Sequence, residues 1–318
     1  NAPLAPGGRV LPSKGAHLII RRNRIRSRTG LTIRVPGKIL FLVPWPGHWL
    51  IGTTDDAYTG SPERPSATAE DVDELLGAVN RTLDVDLTRA DVVGTYAGLR
   101  PLAASPGSGS TVKASREHRV TVERPGLVRV TGGKYTTYRV MARDAIDAVL
   151  GEAAKKRPSA TEELRLVGAL PRPELDALAV RLATEAGLGG AVATRLVDRH
   201  GSEAAAVVEL GRELGLLGRL GSDVDNLEAE VAWAARRELA LSVDDVLARR
   251  TRLAQERPDR GAAVAGRVAE ILGTELGWDA DRRTREVAAF VASAHAEFDV
   301  PGLAHPASVA AAAAPEPA

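Results

Sequence analysis

The chain has 318 residues, 44% of them hydrophobic and 26% charged, the balance of a globular protein with room for about two cored domains. A net charge of +1 gives no general pull toward nucleic acid. Cysteine is absent, which excludes disulfides, thiolate-ligated zinc and thiol catalysis and fits a reducing compartment.

The opening run from Asn1 is rich in Pro and Gly, holds no signal peptide and lacks an initiator Met, so further chain is expected upstream. "AHLIIRR" (16–22), "KILFLVPW" (38–45) and "WLIGTTD" (49–55) read as strands, the last two joined by the turn signal "PGH". The basic run "RRNRIRSR" (21–28) reads as a solvated loop, with a membrane-headgroup contact as the sharper alternative. The longest apolar run, "ILFLVPW" (39–45), is too short to span a bilayer. "SATAEDVDELLGAVNRTL" (66–83) predicts an amphipathic helix. Thr68 and Asp71 form its capping box, and Val72, Leu75, Leu76, Val79 and Leu83 repeat at helical spacing.

"DVVGTYAGLRPL" (91–102) then reads as a strand ending in a loop. "PGSGST" (106–111) resembles a phosphate loop but lacks the third glycine and a following helix, and is assigned as a loop. "HRVTVERPGLVRVTGG" (118–133) predicts a hairpin, followed by a helix with Tyr138, Met141, Ala145 and Val149 on one face. Strands, helix, strands, helix spell an α+β region with a largely antiparallel sheet over residues 1–155. Beyond the polar linker "GEAAKKRPSA" (151–160), Ala/Leu/Arg/Glu-rich helical patterns predict an all-α C-terminal domain over 156–304. Residues 305–318 read as a disordered tail.

The stretch "RVTGGKYTTYR" (129–139) ends a strand on Gly132 and Gly133 and opens a helix with Lys134, Thr136 and Thr137. A helix N-terminus presents unpaired N–H groups and partial positive charge, which suits an anion or a ring carbonyl. Arg100, Arg116 and Lys134 supply three cations expected at successive strand ends, as a phosphate or carboxylate site needs. Six histidines occur (His17, His48, His118, His200, His295 and His305), none at metal-site spacing. His17 lies between a glycine turn and an apolar strand, whereas His48, in a turn, reads as solvated. No GxGxxG dinucleotide fingerprint occurs.

"PSKGAHLII", "ILFLVPW…LIGTTDDAYTG", "YAGLRPL", "SREHRV" and "GGKYTTYR" occur in the order of the FAD-dependent glycerol-3-phosphate dehydrogenases, and "EVAWAARRELALSVDDVLARRTRL" (230–253) resembles that family's helical C-terminal domain. The resemblance covers residues 8 to 300. It implies FAD as cofactor, contributed largely by a segment upstream of Asn1, with Gly132, Gly133, Lys134, Thr136 and Thr137 at the pyrimidine edge of the flavin. It implies glycerol 3-phosphate as substrate, Arg100 and Arg116 on the phosphate or glycerol, Lys134 as a further cation, and His17 as general base with a near-neutral pKa. Lys14 is the weaker neighbouring candidate. Quinone would take the electrons. The family places such a chain in the cytoplasm, peripheral on the inner face of the plasma membrane. Glycerophosphate oxidase, using oxygen, and a non-catalytic phosphate-metabolite binding or scaffold module are the alternatives.

Overall fold

A twelve-residue strand, β1 (Val10–Arg21), is the axis of the first half of the chain. The computed structural model describes residues 10–36, 38–103 and 117–303. Arg116, the 106–111 run and the 305–318 tail therefore lie outside the described residues. The chain divides into two units, Asn1–Leu164 and Arg165–Ala318, the division falling just past the polar linker.

In the first unit, β2 (Leu31–Val35), β3 (Lys38–Trp45) and β4 (His48–Gly52) form an antiparallel meander beside β1. The short β5 (Asp56–Ala57) and the long β6 (Val92–Ala103) also pair antiparallel with β1. Side chains alternate across a strand, so each face can be read from the register. Ala16, Leu18 and Ile20 of β1, Leu40 and Leu42 of β3, and Trp49 and Ile51 of β4 are buried with Val72, Leu75 and Val79 of α1 (Ala69–Thr82). The capping box expected at Thr68 and Asp71 is formed.

The opposite face carries Ser13, Gly15, His17 and Ile19. A single cross-strand row there runs Phe41, Gly52, His17, Tyr96 over β3, β4, β1 and β6. Part of this face is uncovered: Ile39, Phe41 and Val43 of β3 are 46%, 48% and 45% exposed.

Two strand limits differ from the sequence expectation. β1 starts at Val10 rather than Ala16, so Lys14 and His17 sit inside a strand. β6 runs on through Pro101, which places Arg100 within the strand rather than at its end. Proline is tolerated because β6, among the described residues, pairs with β1 alone, and Pro101 faces Pro12.

The hairpin β7 (Arg119–Arg124) and β8 (Leu127–Thr131) turns at Gly126 and forms its own two-stranded sheet. It leads through a single 3-10 turn, Tyr135–Thr137, into α2 (Tyr138–Leu150). None of the residues of α2 is fully buried; Tyr138, Ile146 and Val149 are 48%, 57% and 65% exposed. Of the face expected on this helix, Tyr138 and Val149 are exposed, whereas Met141 and Ala145 are half-buried and Met141 packs beside Gly133.

The second unit strings together α3 (Arg172–Glu185), α4 (Gly190–His200) and α5 (Ala204–Leu214), then α6 (Glu228–Arg237), a π-helical turn (Asp245–Arg250), α7 (Leu253–Glu256), α8 (Ala262–Leu276) and α9 (Ala280–Phe298). Leu178, Leu196, Val207, Leu227 and Trp233 share one core. The region expected to be all-α also holds a small hairpin, β9 (Arg219–Gly221) and β10 (Val224–Leu227), closed by Arg219 Nε donating to the Val224 carbonyl at 2.9 Å.

Buried Glu230 accepts from the Leu227 N–H at 2.7 Å and from Arg195, with His200 Nε2 at 3.3 Å. Burial alone would push its carboxyl up, but the His200 and Arg195 contacts hold it below the usual carboxylate range. Gly168 and Gly201 cross closely, and the Ser202 N–H donates to the Gly168 carbonyl at 3.0 Å. Among the described residues no helix is long and apolar enough to cross a membrane.

Candidate active site

His17 is held between two neighbours in its row. On the β6 side the Tyr96 ring stacks on the imidazole, centroids 4.7 Å apart and planes within 3°. On the β4 side Gly52 offers bare backbone: a Cβ there would run into the ring, at 2.7 Å from Nε2. Nδ1 is buried without a hydrogen-bond partner among the described residues. Burial first, and the positive charge of Arg100 second, lower the imidazole pKa from 6.5 to about 4. The near-neutral value expected from the resemblance is thus corrected, and His17 is uncharged at neutral pH. Burial also raises the Tyr96 phenol.

Arg100 faces Ser13 across the β1–β6 ladder. Its Nη1 donates to Asp55 Oδ1 at 3.1 Å and to Ser13 Oγ at 3.3 Å; its Nη2 donates to Thr53 Oγ1 at 3.0 Å and to the Thr54 carbonyl at 3.2 Å. Ser13 Oγ also donates to Asp55. The fork lies over Gly15, where a Cβ would meet Arg100 Nη2 at 2.5 Å. Glycine at 15 is what lets a guanidinium lie flat against the strand. The carboxylate and hydroxyls preset its direction before any ligand arrives.

Lys14 points the other way. Its Nζ lies 2.5 Å from Asp71 Oδ2 on α1, with both side chains buried. It anchors the helix to the sheet and does not share the face of His17.

At the second location the sequence singled out, Gly132 and Gly133 take φ of 71° and 89°, left-handed values that favour glycine. A Cβ on Gly133 would meet Met141 Sδ at 2.5 Å and His118 Cβ at 3.1 Å. Lys134, Thr136 and Thr137 are exposed, and no side chain caps either the 3-10 turn or α2. Thr137 is committed to the turn itself, its hydroxyl and N–H both donating to the Lys134 carbonyl, at 3.0 and 3.1 Å. Among the described residues no hydrogen bond or ion pair joins Lys134 to His17 or Arg100. The structure therefore brings His17 and Arg100 together on one sheet face and sets the helix mouth on a separate hairpin.

The basic run is partly absorbed by the fold. Arg22 stacks on Trp49 at 3.9 Å, and Arg24 pairs with Asp86 and Asp91. Among the described residues no group of three or more His, Asp or Glu is placed to hold a metal. Sequence reasoning missed Ser13, Thr53, Asp55 and Tyr96. Two signals for them exist: Tyr96 is four residues before Arg100 and so on the same face of a strand, and "GTTDD" (52–56) crowds hydroxyls and carboxylates behind a strand end.

Residues 159–283 match the family model described as the C-terminal domain of alpha-glycerophosphate oxidase. The chain as a whole is similar to the glycerol-3-phosphate dehydrogenases. It is 43% identical over 290 residues to glycerol-3-phosphate dehydrogenase 2 of Mycobacterium tuberculosis (strain ATCC 25618 / H37Rv), covering 91% of this chain and 49% of that one. It is 41% identical over 313 residues to glycerol-3-phosphate dehydrogenase of Mycobacterium leprae (strain TN), covering 96% and 53%. The chain spans about half the length of the curated relatives it matches. Among solved structures, glycerol-3-phosphate dehydrogenase from Bacillus halodurans, complexed with FAD, superimposes with a TM-score of 0.77 at 24% identity, over 92% of this chain and 58% of that one. That likeness shows a shared fold.

Proposed function

We propose that this chain is the substrate-facing part of an FAD-dependent glycerol-3-phosphate dehydrogenase that oxidises sn-glycerol 3-phosphate to dihydroxyacetone phosphate in glycerol metabolism. The observation that carries this reading is a neutral imidazole, His17, set beside a fixed guanidinium, Arg100, on one face of paired strands. Arg100, with Arg116 and Lys134, supplies cation charge for the phosphate. His17 takes the proton from the C2 hydroxyl, and an uncharged imidazole can accept one. Burial is the larger cause of the His17 depression, and a phosphate dianion near Arg100 would offset only the smaller, electrostatic part.

When bound, FAD supplies the acceptor for the hydrogen that leaves C2. The residues fit such a group. Phe41 stands uncovered at the end of the His17 row, His17 Nδ1 lacks a partner among the described residues, and the uncapped mouth of α2 opens from two glycines. Gly132, Gly133, Lys134 and Thr136 would hold the pyrimidine edge, where a helix N-terminus favours negative charge. Thr137 would set the turn from which they project. Residues 1–155 then face substrate and flavin, and residues 156–304 form the helical domain. Quinone is the proposed electron acceptor, and a peripheral contact with the inner face of the plasma membrane, from the cytoplasm, would bring the two together.

The match to the oxidase-named family model favours a second reading in which oxygen reoxidises the flavin. Hydrogen peroxide formation measured against quinone reduction separates the two. The primary test is anaerobic flavin reduction by glycerol 3-phosphate in the full-length protein, joined to its FAD-binding half. His17→Ala should slow reduction and flatten the pH profile, whereas Arg100→Ala and Arg116→Ala should mainly raise KM. Lys134→Met should impair both. Reduction at the parental rate across pH in His17→Ala would sink the assignment of the base.

A further inference from the structure

A catalytic histidine is commonly oriented by a hydrogen bond at its second ring nitrogen. Among the described residues His17 has none: Nδ1 is buried and unpartnered. Yet the ring is tightly confined. Tyr96 lies parallel to it on one side, and on the other the ring fills space that any side chain at position 52 would need. Both neighbours are its direct cross-strand partners, so the backbone register itself sets the gap.

We propose that Tyr96 is a positioning residue that, with Gly52, clamps the His17 imidazole in one plane and so replaces the missing orienting hydrogen bond. The proposal rests on the reading of His17 as proton acceptor and adds what aims it. Proton transfer needs the acceptor within hydrogen-bond reach and aligned, and an imidazole free to rotate on a strand would spend most of its time misdirected. A parallel aromatic wall limits rotation without adding charge or a competing acceptor. It also keeps water from one face of the ring, in line with the dryness of Nδ1. The element that acts is the ring of Tyr96, not its hydroxyl.

Two measurements test this, one of them independent of turnover. In protein with isotopically labelled histidine, the His17 resonance is assigned by its loss in His17→Asn and followed against pH by NMR. Tyr96→Leu should let water reach the ring and move its titration up, toward 6.5. Tyr96→Phe should restore the parental curve. In the full-length FAD-loaded protein, Tyr96→Leu should lower kcat by roughly tenfold to a hundredfold with little change in KM for glycerol 3-phosphate, and Tyr96→Phe should recover most of it.

Gly52→Ala, whose Cβ would run into His17 Cδ2 and so force the ring out of its plane, serves as the second variant should Tyr96→Leu not fold, and should lower kcat with little change in KM. The clamp is overturned if Tyr96→Leu or Gly52→Ala leaves both titration and kcat unchanged. It is equally overturned if Tyr96→Phe is as impaired as Tyr96→Leu, since the hydroxyl would then be the acting group. A shifted titration with unaltered kcat would overturn the aiming role while leaving the stack as a packing contact. If His17→Ala itself keeps the parental rate, the proton-acceptor reading fails, which the NMR result does not touch.

Discussion

Lys14 and Asp71 join the central strand to its covering helix through a buried ion pair, with Asp71 also closing the capping box at Thr68. Burial alone would raise the Asp71 carboxyl, but bonds from Lys14, Thr68 and Thr54 hold it below the usual carboxylate range. One carboxylate thus serves helix start and sheet docking together. Removing one partner leaves the other charge buried and unpaired. Asp71→Ala should cost about 3–5 kcal/mol, measured by chemical denaturation. The double variant Lys14→Met/Asp71→Leu should recover a large part of that loss. Because the folded pKa is depressed, the pair contributes stability above the ordinary aspartate value of 3.8 and loses it as pH falls below.

His17 predicts a separate acid window. Its folded pKa is about 4 against 6.5 ordinarily, so the unfolded chain binds the extra proton first. Stability of the first unit should be full above pH 6.5 and fall progressively toward pH 4. His17→Gln should flatten that part of the profile. Arg100→Gln should move the NMR titration of His17 upward, since it removes a positive neighbour. A downward move would contradict the electrostatic account.

In the helical unit, Glu230 is the sensitive position. Glu230→Ala strands Arg195 and His200 and should cost about 3–5 kcal/mol, read as a lowered Tm for that unit. Glu230→Gln keeps the acceptor for the Leu227 N–H and should cost less.

Gly201→Ala tests backbone geometry in isolation from charge. Gly201 has φ of 58°, and an added Cβ would collide with the Gly168 peptide, 2.9 Å from its Cα. Backbone cannot swing aside as a side-chain tip can. A loss of about 3 kcal/mol or more is expected. Gly187→Ala has a similar φ of 64° but nothing within 4 Å, so it isolates the conformational strain alone, with a loss of about 1 kcal/mol.

Local signals were legible in the sequence, and relationships across the chain were not. The helix of Val72, Leu75 and Val79 announces itself by its cap and its spacing, both contained within one segment. The start of β1 does not, because Pro12 and Gly15 resemble turn residues until Pro101 and Gly98 are seen to pair with them. Arg100 was picked out by type, but its partners Ser13, Thr53 and Asp55 lie 87, 47 and 45 residues away in sequence. The apolar face of α2 was visible as a pattern. A pattern predicts that a face wants burial; it does not say what covers it, and here the hairpin half-covers Met141 and Ala145 and leaves Tyr138 and Val149 exposed.

β1 carries two alternating sets of side chains with different duties. Lys14 pairs with α1 and Ala16, Leu18 and Ile20 are buried on the same face, whereas Ser13, Gly15 and His17 form the opposite one. Ahead of Lys14 the strand is still paired with β6, Ser13 facing Arg100, so deleting or inserting a single residue there displaces Ser13 from Arg100. The same change between Lys14 and Ile20 would transpose the two sets, driving His17 into the apolar layer and leucine onto the face that carries Arg100. This strand can therefore diverge by substitution but not by change of length, and a length variant within it would be expected to lose fold and chemistry in one event.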